Sequence, residues 1–261
     1  MSKLMDKLKL TSPSARQPMG FGQSKLAPAK PKMVLIASFS QTKPKKLVDF
    51  VAGADAGLWH ISSVSEIDSL HETSLAIADF IWGWWVTDLS QDALDKTMKL
   101  GDDFLVFSTD SPIVSIRDDK LGRILQIELS ISDSLLRTIN DLPADAVLVT
   151  AEVDEAPVIT WQHLMSLRRV SGLLRKPVLV TISPDATAAE LQSLWDAGVD
   201  GIVSEVDLEK PPGKINELRQ MIDGLVYPKT RPQGKLDPLL PQAKPDTIQA
   251  SEDEEEEDED L

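Results

Sequence analysis

The chain of 261 residues contains no cysteine and a single tyrosine, and it has no long hydrophobic run. Without thiols it cannot form disulfides, thiolate metal sites or a cysteine nucleophile. No uncharged stretch reaches about 18 residues, so we expect no transmembrane segment. A hydrophobic signal segment is also missing, and the expected location is therefore the cytoplasm.

The composition is that of a soluble globular protein, with 42% hydrophobic and 26% charged residues. The net charge of −15 is unevenly distributed: residues 1–32 carry +6, residues 251–261 carry −9, and residues 33–250 carry the remaining −12. Such an acidic body repels phosphates, and we therefore expect no binding to nucleic acid.

Composition divides the chain into three parts. Residues 1–32 form a basic arm and residues 227–261 a Pro-rich and then acidic tail, ending in "SEDEEEEDEDL". Both segments are too poor in apolar residues to offset chain entropy, so they are predicted to be mostly disordered. The folded domain is predicted to span residues 33–226.

The first ten residues differ from the rest of the arm. Met1, Leu4, Met5 and Leu8 share one face of a predicted helix. Two interpretations remain open at this point: a helix that docks on a membrane or a partner, or a frayed basic terminus.

Apolar strands alternate with amphipathic helices between the two tails. The strand segments are "MVLIASF", "GLWHI", "FIWGWWV", "DFLVFS", "RILQIEL", "AVLVTAEV", "PVLVTIS" and "GIVSEV". Continuous apolar strands that are each followed by a helix indicate a parallel sheet covered by helices, and eight such units close into a TIM-like (β/α)₈ barrel. The predicted class is therefore α/β, with an open doubly wound sheet as the alternative.

One segment resembles a known superfamily. "LQSLWDAGVDGIVSEV" is similar to the late helix–Gly–strand unit of aldolase-type and phosphate-binding barrel enzymes, in which a helix ends at Ala-Gly and a strand begins with Asp-Gly-Ile-Val. The resemblance implies the same barrel fold. The glycines with which those enzymes bind phosphate are missing from "SPDA" and "SEVD", so a phosphorylated substrate is not expected.

One region does not fit the alternation of strands and helices clearly. Between the fourth and fifth strands, "TDSPIVSIRDDKLG" is β-branched and ends in a turn-like sequence. It predicts either a fourth helix or a hairpin with "RILQIEL", and a hairpin would distort the compact barrel around the fourth helix.

The tryptophans of "FIWGWWV" follow the alternation of a strand. Trp82 and Trp84 share one face and are predicted to pack against the helices. Gly83 and Trp85 face the barrel axis, where Gly83 leaves room and Trp85 borders the mouth.

Function in this fold resides at the C-terminal ends of the strands. Glu128, Glu152 and Glu205 end the fifth, sixth and eighth strands, and such carboxylates suit Mg²⁺ or Mn²⁺ or general acid–base chemistry. His60 points inward near the mouth and is the candidate general base. No lysine ends a strand, which argues against a Schiff-base aldolase.

Two functional hypotheses follow. The first is a barrel enzyme, namely a divalent-metal-dependent lyase or isomerase that acts on a small organic acid or carbonyl compound at the mouth. The second is a catalytically degenerate barrel of enzyme ancestry that serves as a binding or scaffold module and recruits protein partners through its charged tails.

Overall fold

The computed structural model describes residues 2–11, 32–40, 47–61, 63–75, 77, 79–86, 96, 100, 102–112, 121–150, 159–208 and 210–226. Within them, strands β1 to β8 span Val34–Phe39, Ala56–Ile61, Trp82–Val86, Phe104–Ser108, Gly122–Glu128, Ala146–Thr150, Val178–Ile182 and Gly201–Glu205. The described helices α1 to α7 span Lys3–Thr11, Leu47–Val51, Ile67–Ser74, Asp133–Ile139, Trp161–Leu173, Ala188–Asp196 and Lys214–Asp223. All eight predicted strands are present.

The strands form one closed parallel barrel in the order β1 to β8, and β8 returns to β1. At the closing pair, Val34 of β1 lies opposite Gly201 of β8. The predicted (β/α)₈ barrel is confirmed, and the open doubly wound sheet is wrong. No helix among the described residues is both long enough and apolar enough to cross a membrane.

The hairpin considered for the fifth strand is also wrong. β5 pairs in parallel with β4 on one side, where Phe104 lies opposite Gly122, and with β6 on the other, where Ile124 lies opposite Ala146. Both edges of β5 are therefore occupied, and no antiparallel partner can pair with it. The alternative fourth helix, and any distortion around it, falls on residues 113–120, which lie outside the described residues.

Side chains of the strands divide between two apolar clusters. Outward-facing residues such as Trp59, Trp82 and Trp84 pack under the helices, as predicted for Trp82 and Trp84. The indoles of Trp59 and Trp82 stack with their centroids 5.4 Å apart. Inward-facing residues, including Trp85 and Phe104, form a second cluster along the barrel axis. The tryptophan-rich strand is thus mainly core.

Gly83 lies on the inward face and is required by close packing. A Cβ atom at this position would lie 2.5 Å from the ring of Phe104. Real side chains do not approach so closely, so the glycine makes room for the Phe104 ring within the crowded barrel.

Helix α1 closes the N-terminal end of the barrel, and we call it the floor helix. Leu4 and Leu8 are fully buried and Met5 is 4% exposed, and all three pack against the inward-facing cluster. Lys7 forms an ion pair with Asp55 at 3.1 Å. The amphipathic face predicted for Leu4, Met5 and Leu8 therefore exists, but it packs against the chain's own barrel, and Met1 lies outside the described residues. Neither a frayed end nor a helix free to dock elsewhere describes these residues.

An aspartate precedes each even-numbered strand. The backbone N–H groups of Asp55, Asp103, Asp145 and Asp200 all donate to a carbonyl near the start of the preceding strand, at 2.7–3.0 Å. The carboxylates of Asp55, Asp145 and Asp200 also accept a backbone N–H from that strand, at 2.8–3.0 Å.

Asp103 uses its carboxylate differently. It accepts the backbone N–H groups of Lys3 at 2.7 Å and Leu4 at 2.9 Å, and the Ser2 hydroxyl at 2.7 Å. These bonds satisfy the free N–H groups at the start of the floor helix, and the negative charge suits the helix dipole. One of the four equivalent aspartates thus holds the floor helix in place.

The remaining domain predictions stay predictions. Residues 12–31 and 227–261, which include most of the basic arm and the whole acidic tail, lie outside the described residues.

Candidate functional site

The C-terminal ends of the strands form the mouth of the barrel, where this fold places its ligand sites. Above the apolar inward cluster, the strands turn polar side chains toward the axis. These are Ser38, His60, Ser108, Gln126, Glu128, Thr150, Thr181 and Glu205. The inward position predicted for His60 follows from its alternation with Leu58 in β2.

His60 lies against both neighbouring strands. Its Nε2 atom is 2.8 Å from the Ser38 hydroxyl on β1, and its ring centroid is 4.2 Å from that of Trp85 on β3. Burial lowers the pKa of His60 below its ordinary value, although the nearby Glu205 carboxylate acts in the opposite direction. The imidazole is therefore neutral at pH 7, and one of its ring nitrogens is a proton acceptor.

A hydrogen-bond network links the mouth ends of β3, β5 and β6. The Trp85 indole N–H donates to the Gln126 side-chain oxygen at 3.0 Å, and the Gln126 amide donates to the Thr150 hydroxyl at 3.4 Å. Thr150 in turn donates to the Ile127 carbonyl at 3.4 Å. Trp85 is only 8% exposed and belongs to the apolar inward-facing cluster. The polar groups of this network are hydrogen-bonded to one another and to the Ile127 carbonyl.

Each mouth carboxylate accepts a hydrogen bond from a serine just after a strand: Ser40 follows β1, which pairs with β8, and Ser130 follows β5. Glu205 accepts a hydrogen bond from the Ser40 hydroxyl, and Glu128 accepts one from Ser130 at 3.0 Å. Both glutamates are exposed, and they end β8 and β5, which are three strands apart. Glu152 belongs to residues 151–158, outside the described part of the chain. Among the residues that are described, no three His, Asp or Glu side chains group together as a metal site.

A recess lies beside the mouth, between the ends of β7 and β8 and the start of α7. Its walls include Phe50, Pro184, Glu205 and Lys214. Lys214 is bound to the carboxylates of Asp185 and Glu217, each at 3.2 Å. Because this ammonium group already faces two carboxylates, an added anion gains little there.

Sequence reasoning missed Ser38 as a partner of His60. The available signal was the alternation of Val34, Ile36 and Ser38, which turns the serine inward. Pairing it with His60 also requires the stagger between the two strands, since Ser38 lies directly opposite Leu58.

No family model matches the chain, and no curated protein matches it. Solved structures do match. The α-subunit of tryptophan synthase from Pyrococcus furiosus has 14% sequence identity and a TM-score of 0.54, and the match covers 74% of this chain and 97% of that one. Two variants of the same subunit give 14% and 15% identity, the same coverage, and TM-scores of 0.55 and 0.53. Identity at this level shows the fold alone. The chain has the (β/α)₈ barrel fold.

Proposed function

We propose that this protein is a barrel of enzyme ancestry that no longer catalyses a reaction and acts as a binding module. One observation carries the proposal: at the mouth, Trp85 is joined through Gln126 to Thr150, so these inward-facing groups bond to one another. An active site instead directs hydrogen-bond donors at the position where charge develops on the substrate.

In this proposal the charged ends of the chain recruit protein partners. The part of the basic arm that follows the floor helix and the nine acidic residues near the end have opposite charges, and each can attract a complementary surface. The barrel between them acts as the body that carries the two ends.

A second candidate function is an enzyme that acts on a small organic acid or carbonyl compound. It is favoured by His60, whose lowered pKa and 2.8 Å contact with Ser38 suit a general base. In the metal-dependent form of this candidate, Glu128, Glu152 and Glu205 bind Mg²⁺ or Mn²⁺. A lyase or isomerase reaction then uses the ion to stabilise negative charge on the substrate.

Thermal unfolding with and without Mg²⁺ or Mn²⁺ separates the binding module from the metal-dependent form of the enzyme. A metal that binds only the folded protein at a hundredfold excess over its Kd stabilises it by about 2.7 kcal/mol. For a domain of this size that corresponds to a rise in Tm of about 5–11 °C. The protein should be measured both intact and without residues 251–261, because the nine acidic residues there bind cations non-specifically.

The binding-module proposal predicts no metal-dependent rise in Tm for the tail-deleted protein. Glu205→Gln and Glu217→Gln form a matched pair, since both side chains are exposed but only Glu205 lies at the mouth. A rise in Tm that Glu205→Gln removes and Glu217→Gln preserves would reject the binding-module proposal in favour of the metal enzyme.

A further inference from the structure

Helix α5 carries an exposed apolar pair at its N-terminal end. Trp161 is 83% exposed and Met165 is 72% exposed, the two highest values among the large apolar side chains of the described residues. They are separated by four positions, so they lie next to each other on one face of the helix. Other exposed apolar side chains, such as Val48 in α2 and Leu75 just after α3, lie singly. The pair therefore forms a patch of a kind that marks contact surfaces.

The same helix face continues into a basic region. Arg168 is exposed three positions after Met165, and its guanidinium forms no ion pair with any described residue. Its neighbour Arg169, in contrast, is bound to Asp133 at 2.7 Å. Residues 156–184 contain no aspartate or glutamate, although the whole chain has a net charge of −15. Helix α5 itself therefore carries no carboxylate that would make two copies of the protein repel each other across this helix.

We propose that two copies of this chain associate through α5, with the two helices antiparallel across a two-fold axis near Met165. The proposal is independent of what the barrel mouth binds. A two-fold interface uses the same patch on both copies, so the patch must be complementary to itself.

The order of residues along α5 meets this requirement. Trp161 lies four positions before Met165, and Arg168 lies three positions after it. In an antiparallel pair that crosses at Met165, Trp161 of each copy lies opposite Arg168 of the other copy. A guanidinium above an indole face is a favourable cation–π contact, and the two methionines meet at the centre. The two-fold arrangement thus gives each exposed group of the patch a partner.

Sedimentation equilibrium of the full chain measures the association directly. The apparent mass should rise from that of one chain toward that of two between about 1 μM and about 1 mM, the range of Kd for weak complexes. Trp161→Ala and Met165→Ala should each weaken the association at least tenfold, with unchanged Tm because both side chains are exposed. Arg168→Glu should weaken it as well. Leu75→Ala is the matched control, because Leu75 is 68% exposed just after α3, away from α5, and it should leave the association unchanged.

A cysteine trap tests the two-fold axis itself. The chain has no cysteine, so Met165→Cys introduces the only thiol. Mild oxidation should then join two copies covalently through residue 165, and Leu75→Cys under the same conditions should form no covalent dimer. Equal cross-linking of the two variants would show random collision and would overturn the proposed geometry.

Two other results would overturn the proposal. One is a full chain that stays monomeric up to about 1 mM, above the Kd of weak complexes. The other is a monomeric chain that sediments with vesicles of anionic lipid and loses this binding in Trp161→Ala, which would assign the patch to a membrane surface.

Discussion

Asp200 is the most informative residue for a stability measurement because it is a buried carboxylate without a cation. It lies just before β8, is 6% exposed, and accepts the backbone N–H of Val178 at 2.8 Å. Burial raises its pKa from the ordinary value of 3.8 to about 6, although the bond from Val178 acts in the opposite direction. Asp200→Asn keeps an oxygen acceptor for Val178 and removes the titrating group.

The size and sign of the effect follow from proton linkage. A pKa that is raised from 3.8 to about 6 differs by roughly two units, which at 1.36 kcal/mol per unit amounts to about 3 kcal/mol. Between pH 4 and pH 6 the folded protein binds this proton more tightly than the unfolded chain does. Stability is therefore lost as the pH rises through this window, and above pH 6 the full cost of the buried charge is present.

Urea unfolding between pH 4 and pH 7 should show this difference. Relative to Asp200→Asn, the natural protein should lose about 3 kcal/mol of unfolding free energy across that interval. Asp145→Asn is the control: it removes the carboxylate at the equivalent position before β6 and leaves Asp200 in place. Parallel pH profiles for the natural protein and Asp200→Asn would refute the reasoning. A slope that disappears in Asp145→Asn would do the same.

Two pairs of substitutions test the packing of the barrel. Leu8→Ala in the floor helix should lower the free energy of unfolding by about 2–5 kcal/mol because Leu8 is fully buried. Leu10→Ala in the same helix should change it by less than about 0.5 kcal/mol because Leu10 is 54% exposed. Equal effects in thermal unfolding would mean that the helix does not close the barrel. Gly83→Ala should destabilise the protein by about 1–3 kcal/mol through the clash with Phe104, and Gly172→Ala, whose Cβ meets no atom within 4 Å, should stabilise it by up to about 1 kcal/mol. A Gly83→Ala protein that unfolds at the natural Tm would contradict the close packing of the axis.

The strands could be predicted from sequence because a barrel strand is apolar on both faces. Each strand therefore appears as a continuous hydrophobic run between helical segments, and alternation within the run separates the outward Trp82 and Trp84 from the inward Trp85. The floor helix could be predicted only in part. Its sequence shows an amphipathic face, but the surface that covers this face comes from residues far along the chain, such as Phe104.

The site was less predictable because its contacts depend on the stagger of the strands. Alternation turns His60 inward, but its contact with Ser38 depends on how far β2 is shifted relative to β1. Likewise, Glu128 and Glu205 were correctly placed at strand ends, but the hydropathy pattern does not reveal which neighbour each carboxylate binds. Glu128 accepts a hydrogen bond from Ser130 after its own strand, and Glu205 accepts one from Ser40 after the neighbouring strand β1.

The position of the floor helix has a consequence for synthesis of the protein. The helix is translated before the barrel, and the carboxylate that holds its N-terminus belongs to Asp103, which is 100 residues after Lys3. At about 5–20 residues per second, this part of its docking site leaves the ribosome about 5–20 s after the helix itself. During that interval Leu4, Met5 and Leu8 have no barrel interior to enter, and the charges of Lys3, Lys7 and Lys9 keep the emerging segment in water. The floor helix can therefore reach its native position only after the later strands have been made.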